Sequence, residues 1–413
     1  MDVLKNYFFI ALIALNFGLY AKLKSGVYRA TLLLNAENNI ELPFNFEVIY
    51  SGKKPIIIIK NADERIVVDE IAIKGDSVNF KMPVFDTEFK TKLKADTLTG
   101  VWINHYRREK NTIPFTAVYN QTYRFNFVPG KANPCFEGSW ETTFSPNTAD
   151  STKAIGVFHH LEQTDYVTGT FLTETGDFRY LEGIKNGNTL YLSCFDGSHA
   201  FLFIATYSDS IPAVSSISGK FYSGAHWQEN WTAKQNPKFK LRNASDITFL
   251  KNKDDKLNFS FPNLNKKNVS INDKKFNNKP LIIQIMGSWC PNCMDESVYL
   301  SQVYKQYNKQ GLEIIALAFE KTNDVDKCIK LVTRLKNKLK INYEILITGK
   351  TGKDKASETL SALNQISAFP TTLFLNRQHQ VVKITTGFSG LATGKEFEAY
   401  KQETTSLILS LLK

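Results

Sequence analysis

From Ser25 to Trp231 the chain alternates hydrophobic and polar residues in short runs: LPFNFEVIY (42–50), IIIIK (56–60), RIVVDEIAI (65–73), SVNFKMPVF (77–85), TLYLSCF (189–195) and AFLFIATY (200–207). A period of two sends successive side chains to opposite faces of a strand. Turn signals separate the runs at NAD (61–63), DTLTG (96–100), KNGN (185–188) and SISGKF (216–221). Many short strands with punctuating turns predict an all-β sandwich or barrel-like domain. An internal echo runs through it: VNFKMPVFD (78–86) precedes LTGVWI (98–103), and LYLSCFDG (190–197) precedes ISGKFYSG (217–224). Two related β-sheet units would produce such an echo, and so would ordinary strand–turn grammar.

The pattern shifts at AKQNPKFKLRNASD (233–246), where polar and basic residues dominate and Pro237 interrupts any period. Beyond it, apolar runs alternate with helical spacing. LIIQIM (281–286) and LEIIALAF (312–319) read as strands buried on both faces. Cys290 to Tyr307 is helical. DVDKCIKLVTRLKNKL (324–339) puts Val325, Cys328, Ile329, Val332 and Leu335 on one helical stripe. EILIT (344–348) predicts a strand and ASETLSALNQI (356–366) a helix. TTLFLN (371–376) and QVVKITTGF (380–388) predict an antiparallel pair, and 395–412 a last helix. The order βαβαβαββα implies a mixed central sheet flanked by helices. The expected division is 1–21, 22–238 for the β-rich part and 239–413 for the α/β part.

The first 21 residues carry Lys5, an apolar run from Tyr7 to Tyr20 and then Ala21. That run is short for a membrane span, which needs about 20 apolar residues. It suits a secretory signal peptide with Leu19 and Ala21 at the −3 and −1 positions, the rival being an uncleaved anchor and the only membrane contact expected. Export to the periplasm or cell envelope follows in either case. A net charge of +11 is spread along the chain without a nucleic-acid module, so nucleic acid is not an expected partner. Five cysteines are too few for a disulfide scaffold.

Two of the five stand in GSWCPNCMDE (287–296), at the start of a helix that follows a buried strand. A helix N-terminus carries unpaired N–H groups and partial positive charge, which favour a thiolate. Pro291 fits the first turn, where its missing N–H leaves nothing unpaired. Cys290 is then the exposed nucleophile and Cys293, one turn deeper, resolves the mixed disulfide. Trp289 walls the site. A structural zinc would need four ligands and the second pair is absent, so no metal is expected.

These residues resemble the thioredoxin fold, and within it the TlpA/ResA-like thiol–disulfide oxidoreductases. The resemblance covers 255–413. FSFPNLNKKNVSIND (259–273) is similar to the family's opening β-segment, WCPNC (289–293) to its active-site motif and AFPTT (368–372) to its cis-proline loop. It implies a cis Phe369–Pro370 bond and a substrate groove formed by Trp289, Pro291, Asn292, Phe369, Pro370 and Thr371. The buried Asp of thioredoxins proper is replaced here by Gln284, whereas the Glu of ResA-like members is present as Glu296. One helical turn brings it toward Cys293 as a proton acceptor or donor. Asp295 is expected on another face. The β-rich part resembles, more loosely, N-terminal extensions found on such proteins in Bacteroidetes-type bacteria.

The resemblance further implies disulfide-bearing client proteins, a membrane electron donor of thiol-reductant type, and cytochrome c maturation as a context. No prosthetic cofactor is expected, because the dithiol is the redox carrier. Net oxidation or isomerisation of disulfides is the rival enzyme reading. In the other rival the β-rich part is a binding module and the redox unit secondary. Elsewhere, Cys328 reads as a buried small hydrophobe, while Cys135 and Cys194 either pair as a disulfide or stay free. Histidines 159, 160, 199 and 226, near Asp196 and Glu229, lack metal-ligand spacing, and FDGSHAF (195–201) and HWQENW (226–231) read as polar turns or a pocket lining.

Overall fold

The computed structural model describes residues 22–126, 134–161, 163–208 and 215–413. The segment expected to direct export, 1–21, lies outside them. No described helix is long and apolar enough to cross a membrane.

The β-rich part folds as two antiparallel rings. In the first, every strand pairs with its neighbour in sequence and the last, Thr112–Tyr119, returns to the first, Gly26–Asn35. The sheet edges, Glu64–Val68 and Glu70–Lys74, are consecutive in the chain and joined at Asp69. They are two halves of one bent strand, pairing backward with Lys54–Asn61 and forward with Ser77–Lys81. The second ring runs from Gly138 to Gln235 and closes through pairing of Thr152–His160 with Tyr166–Thr173. Closure removes the open edges that an eight-strand meander would otherwise expose. The barrel-like expectation holds and the sandwich does not.

The sequence echo falls on equivalent strands. VNFKMPVFD and LYLSCFDG supply the fifth strand of each ring, and LTGVWI and ISGKFYSG the seventh. Two predicted turns are corrected here. DTLTG turns only before Thr97, and SISGKF lies inside the strand Ser216–Ser223. Their glycines mark close strand approach: a Cβ on Gly100 would lie 2.0 Å from the Lys90 carbonyl oxygen, and one on Gly219 2.2 Å from that of Ile204.

Alternation along the strands fills each ring. Phe144, Phe158, Phe171, Phe203 and Trp231 pack inside the second. Phe195, at the end of its fifth strand, instead enters the first ring. Its side chain stacks on Phe44 at 4.6 Å and meets Trp102 and Phe89 edge-on at 5.3 and 5.5 Å. The Arg124 guanidinium, almost wholly buried, donates to the Lys60 carbonyl and to Glu182 and Ser193, joining the rings. Cys194 points into the second core while Cys135 is exposed, and both are free thiols, so the disulfide between them is not formed.

The C-terminal part begins with a short hairpin, Ser260–Pro262 with Asn268–Ser270. Its sheet comprises β1 (Leu281–Met286), β2 (Glu313–Ala318), β3 (Glu344–Ile347), β4 (Thr371–Leu375) and β5 (Val381–Thr386), in the order β3-β2-β1-β4-β5. β1, β2 and β3 are parallel, while β4 is antiparallel to both its neighbours, β1 and β5. The helices are α1 (Pro291–Tyr307), α2 (Val325–Leu339), α3 (Gly352–Thr359) and α4 (Lys395–Leu412). All six residues of β1 are buried, five of them apolar and the sixth, Gln284, hydrogen-bonded through its side chain.

α3 corrects the predicted helix at 356–366. Residues beyond Thr359 are drawn into pairing instead: Leu363 bridges Leu250, and the Ile366 N–H donates to the Ser357 hydroxyl. On α2, Val325 is exposed and Leu331 joins the buried stripe. α2 also docks on the first ring, where Arg334 donates to the carbonyls of Pro83 and Met82 and pairs with Glu70.

Candidate redox site

β1 leads into α1 through Gly287, Ser288 and Trp289. A Cβ on Gly287 would lie 2.2 Å from the Trp289 indole nitrogen, so the tight connector excludes a side chain there. The Ser288 N–H and hydroxyl donate to the buried Glu320 carboxylate at 2.8 and 2.7 Å. Trp289 donates its indole N–H to the Phe319 carbonyl at 3.0 Å, meets Phe369 edge-on, and carries the Lys321 ammonium 3.9 Å above its ring.

Cys290 occupies the N-cap of α1, extended at φ −104°, and its sulfur accepts the Cys293 N–H at 3.2 Å. An amide that no carbonyl can reach is thus aimed at the first sulfur. Pro291 takes the first helical position. Cys290 and Cys293 are disulfide-bonded, with Cα atoms 5.2 Å apart. The Phe369 carbonyl oxygen lies 3.4 Å from the Cys290 sulfur, and the Phe369–Pro370 bond is cis, as the family resemblance implied.

Glu296 follows Cys293 by three residues, just under one helical turn, and has no solvent exposure. Its carboxylate accepts from the Gln284 amide at 2.8 Å, the Thr372 hydroxyl at 2.9 Å and the Tyr400 hydroxyl at 3.4 Å. Burial raises its pKa to about 7, although these three hydrogen bonds hold it down. Gln284 is held in turn by hydroxyl donors, Ser297 at 3.2 Å and Tyr343 at 3.1 Å. A carboxyl that titrates near neutrality, one turn from the resolving cysteine, can take or return a proton under ordinary conditions.

The predicted groove residues gather around Cys290, but the second ring covers part of them. Asn292 turns its amide to the carbonyls of Asp177 and Phe388, at 3.2 and 3.1 Å. The Pro291 carbonyl accepts from Arg179, and that of Trp289 from the Ser198 hydroxyl at 3.1 Å. Thr371 is fully buried, its hydroxyl donating to the Ala368 carbonyl, so it supports the loop and does not face the groove. Between Gly287 and Cys293 only Trp289 keeps partial exposure.

Arg179 was not legible as a site residue. It is 1% exposed and faces Asp295 of α1, Glu64 of the first ring and Asp196 of its own, with Asp177 also nearby. Burial lifts the Asp295 pKa to about 7 against the pull of Arg179, and the neighbouring acids add to the rise. Asp295 does point away from Cys293, as expected, but that face is packed against the second ring. The only trace in the sequence is an arginine set between Phe178 and Tyr180, with no local sign of what it would face.

The singled-out histidines fall in two places: His159 lies beside Glu137, while His199, hydrogen-bonded to Asp196, lines a small pocket together with His226 and Arg107. Among the described residues no group of His, Cys, Asp and Glu is arranged to hold a metal ion.

Residues 251–400 match the redoxin family model. Over 130 residues the chain is 28% identical to the thiol-disulfide oxidoreductase ResA of Bacillus subtilis (strain 168). That alignment covers 32% of this chain and 64% of the relative, so it spans just under two thirds of that protein's length. Over 148 residues it is 25% identical to ResA of Bacillus thuringiensis (strain Al Hakam), covering 36% and 75%. A solved thiol-disulfide oxidoreductase from Bacteroides fragilis NCTC 9343 is 17% identical, covering 35% of this chain and 96% of that one with a TM-score of 0.27. With the parallel–antiparallel sheet, the capped dithiol and Glu296 in place, the C-terminal part of this chain is TlpA/ResA-like: it matches the redoxin family model and is similar to the ResA thiol-disulfide oxidoreductases.

Proposed function

We propose that this chain is an exported thiol–disulfide oxidoreductase of the cell envelope, which reduces or exchanges disulfides in client proteins. The observation that carries this reading is the position of Cys290: its sulfur caps α1, accepts the Cys293 N–H and is bonded to the Cys293 sulfur. A thiolate at that position gains from the helix dipole and from a charge-assisted hydrogen bond, so it forms readily near neutral pH.

In the reducing direction the Cys290 thiolate attacks one client sulfur. A Cys290–client disulfide forms, the client disulfide breaks, and the departing client thiolate takes a proton. Cys293 gives its proton to the Glu296 carboxylate and attacks the Cys290 sulfur. The Cys290–Cys293 disulfide forms and the second client sulfur leaves as a thiolate, which is then protonated. The client gains two electrons and two protons, and the dithiol loses them. A dithiol donor at the membrane restores the reduced pair by the same exchange in reverse. The dithiol carries the electrons, so this reading invokes no prosthetic group.

Replacing Cys293→Ser removes the resolving sulfur and should leave the mixed disulfide on Cys290. Covalent partners released by reductant from envelope extracts would support the reading. Recovery of none, with the variant folded and Cys290 reactive, would overturn it. The midpoint potential of the pair separates directions: about −120 mV suits an oxidant and a value well below about −200 mV a reductant.

A further inference from the structure

Two segments of the second ring lie over the redox centre. Thr175–Arg179 crosses the first turn of α1 and the loop after β5. A Cβ on Gly176 would sit 2.4 Å from the Asn292 amide, and one on Gly387 2.5 Å from the Thr175 carbonyl carbon. The Asp177 carboxylate accepts the Gly390 N–H. The turn Asp196–His199 crosses the other side, where Ser198 donates to the Trp289 carbonyl. The two segments are tied together and to α1 by Arg179, whose guanidinium reaches acids on both rings and on α1. Cys290 is left 6% exposed, with Pro291, Asn292 and the loop 368–372 all buried, and the partly exposed Trp289 marks the remaining open side.

A thiolate must reach a client sulfur in line with the bond that breaks, so the surroundings of Cys290 decide what can approach. A folded protein presents a broad convex surface to its partner, of roughly 800 Å² in a standard complex. Here three of the residues that would meet such a surface, Trp289, Pro291 and Asn292, are already hydrogen-bonded to the second ring. A single extended segment needs only a narrow strip on the open side beside the partly exposed Trp289.

We propose that Thr175–Arg179 and Asp196–His199 form the second wall of the client site and restrict Cys290 to disulfides carried on extended peptide segments. These residues determine specificity by position and take no part in the exchange itself. The proposal rests on the thiol–disulfide reading for its substrate, but its steric core is testable without turnover.

The test uses the reduced full chain carrying Cys135→Ser, so that the exposed thiol outside the site does not react. Labelling rates at Cys290 are measured by peptide mapping with N-ethylmaleimide and with a maleimide on a polyethylene glycol chain of about 5 kDa, a size far beyond the covered strip. A covered state whose open form is a minor population slows the bulky reagent by at least about tenfold relative to the small one. Arg179→Met removes the tie, and Gly176→Ala lifts the segment by steric contact without removing charge. Either should narrow the gap between the two reagents, with a retained cooperative melt showing that the chain is folded.

The substrate half is read by comparing a disulfide-cyclised peptide of about ten residues, one that lies extended in the strip, with a folded disulfide protein. Wild type should favour the peptide, and Gly176→Ala should narrow the preference. Equal labelling by both maleimides in wild type overturns the wall. If the maleimide gap is present but neither disulfide is reduced, the client assignment and the thiol–disulfide reading fall while the steric cover stands.

Discussion

The Gln284 amide donates to the Glu296 carboxylate at 2.8 Å, and neither residue has any solvent exposure. Gln284 cannot titrate, so the proton-holding group lies on α1 and β1 only orients it.

Glu296→Gln should abolish a neutral-pH transition in exchange. Wild-type rate against pH should bend near 7, where the carboxyl titrates, and the variant's profile should lose that bend and fall by about a hundredfold. Stopped-flow reduction of a peptide disulfide from pH 5 to 9 measures both.

Stability should carry the same signature. The folded pKa of Glu296, about 7, lies above its ordinary value of 4.5, so the folded chain binds the extra proton. Its stabilising contribution is fully present below pH 4.5 and is lost as pH rises through 7. At about 1.4 kcal/mol for each pH step between those values, the loss is at most about 3.5 kcal/mol. Denaturant titrations at pH 4.5 and 8 should show a smaller loss in Glu296→Gln than in wild type, the remainder coming from Asp295, whose pKa burial also lifts to about 7.

Gln284→Leu should push the kinetic bend above 7, because Glu296 loses a donor that favours its charged form. Ser297 and Tyr343 also lose their acceptor, at a cost of about 1–3 kcal/mol. An unmoved bend would place the control of this proton elsewhere.

Phe195→Ala should uncouple the rings. The ring of Phe195 sits among Phe44, Phe89 and Trp102 of the other unit, and truncation should cost about 3–5 kcal/mol. Calorimetry should show one transition becoming two.

Among the three cysteines outside the motif, only Cys135 should react with a thiol reagent in the native chain. Cys194 and Cys328 are buried, and burial lifts the Cys328 thiol to about 11 and Cys194 well beyond its usual range. Denaturation should expose the other two.

The sequence by itself determined the strands, most of the helices and the dithiol. Alternation along 42–50, the apolar run 281–286 and the proline between two cysteines are local signals, set by backbone geometry and the needs of a helix start. Glu296 was legible only through the resemblance, since nothing local distinguishes a buried glutamate from an exposed one on the same helix. Ring closure, the shortened α3, the entry of Phe195 into the neighbouring barrel and the gathering of Arg179 with Glu64, Asp196 and Asp295 were decided by the tertiary structure. Each joins residues far apart in the chain, and burial of a charge depends on which surface is finally placed against it.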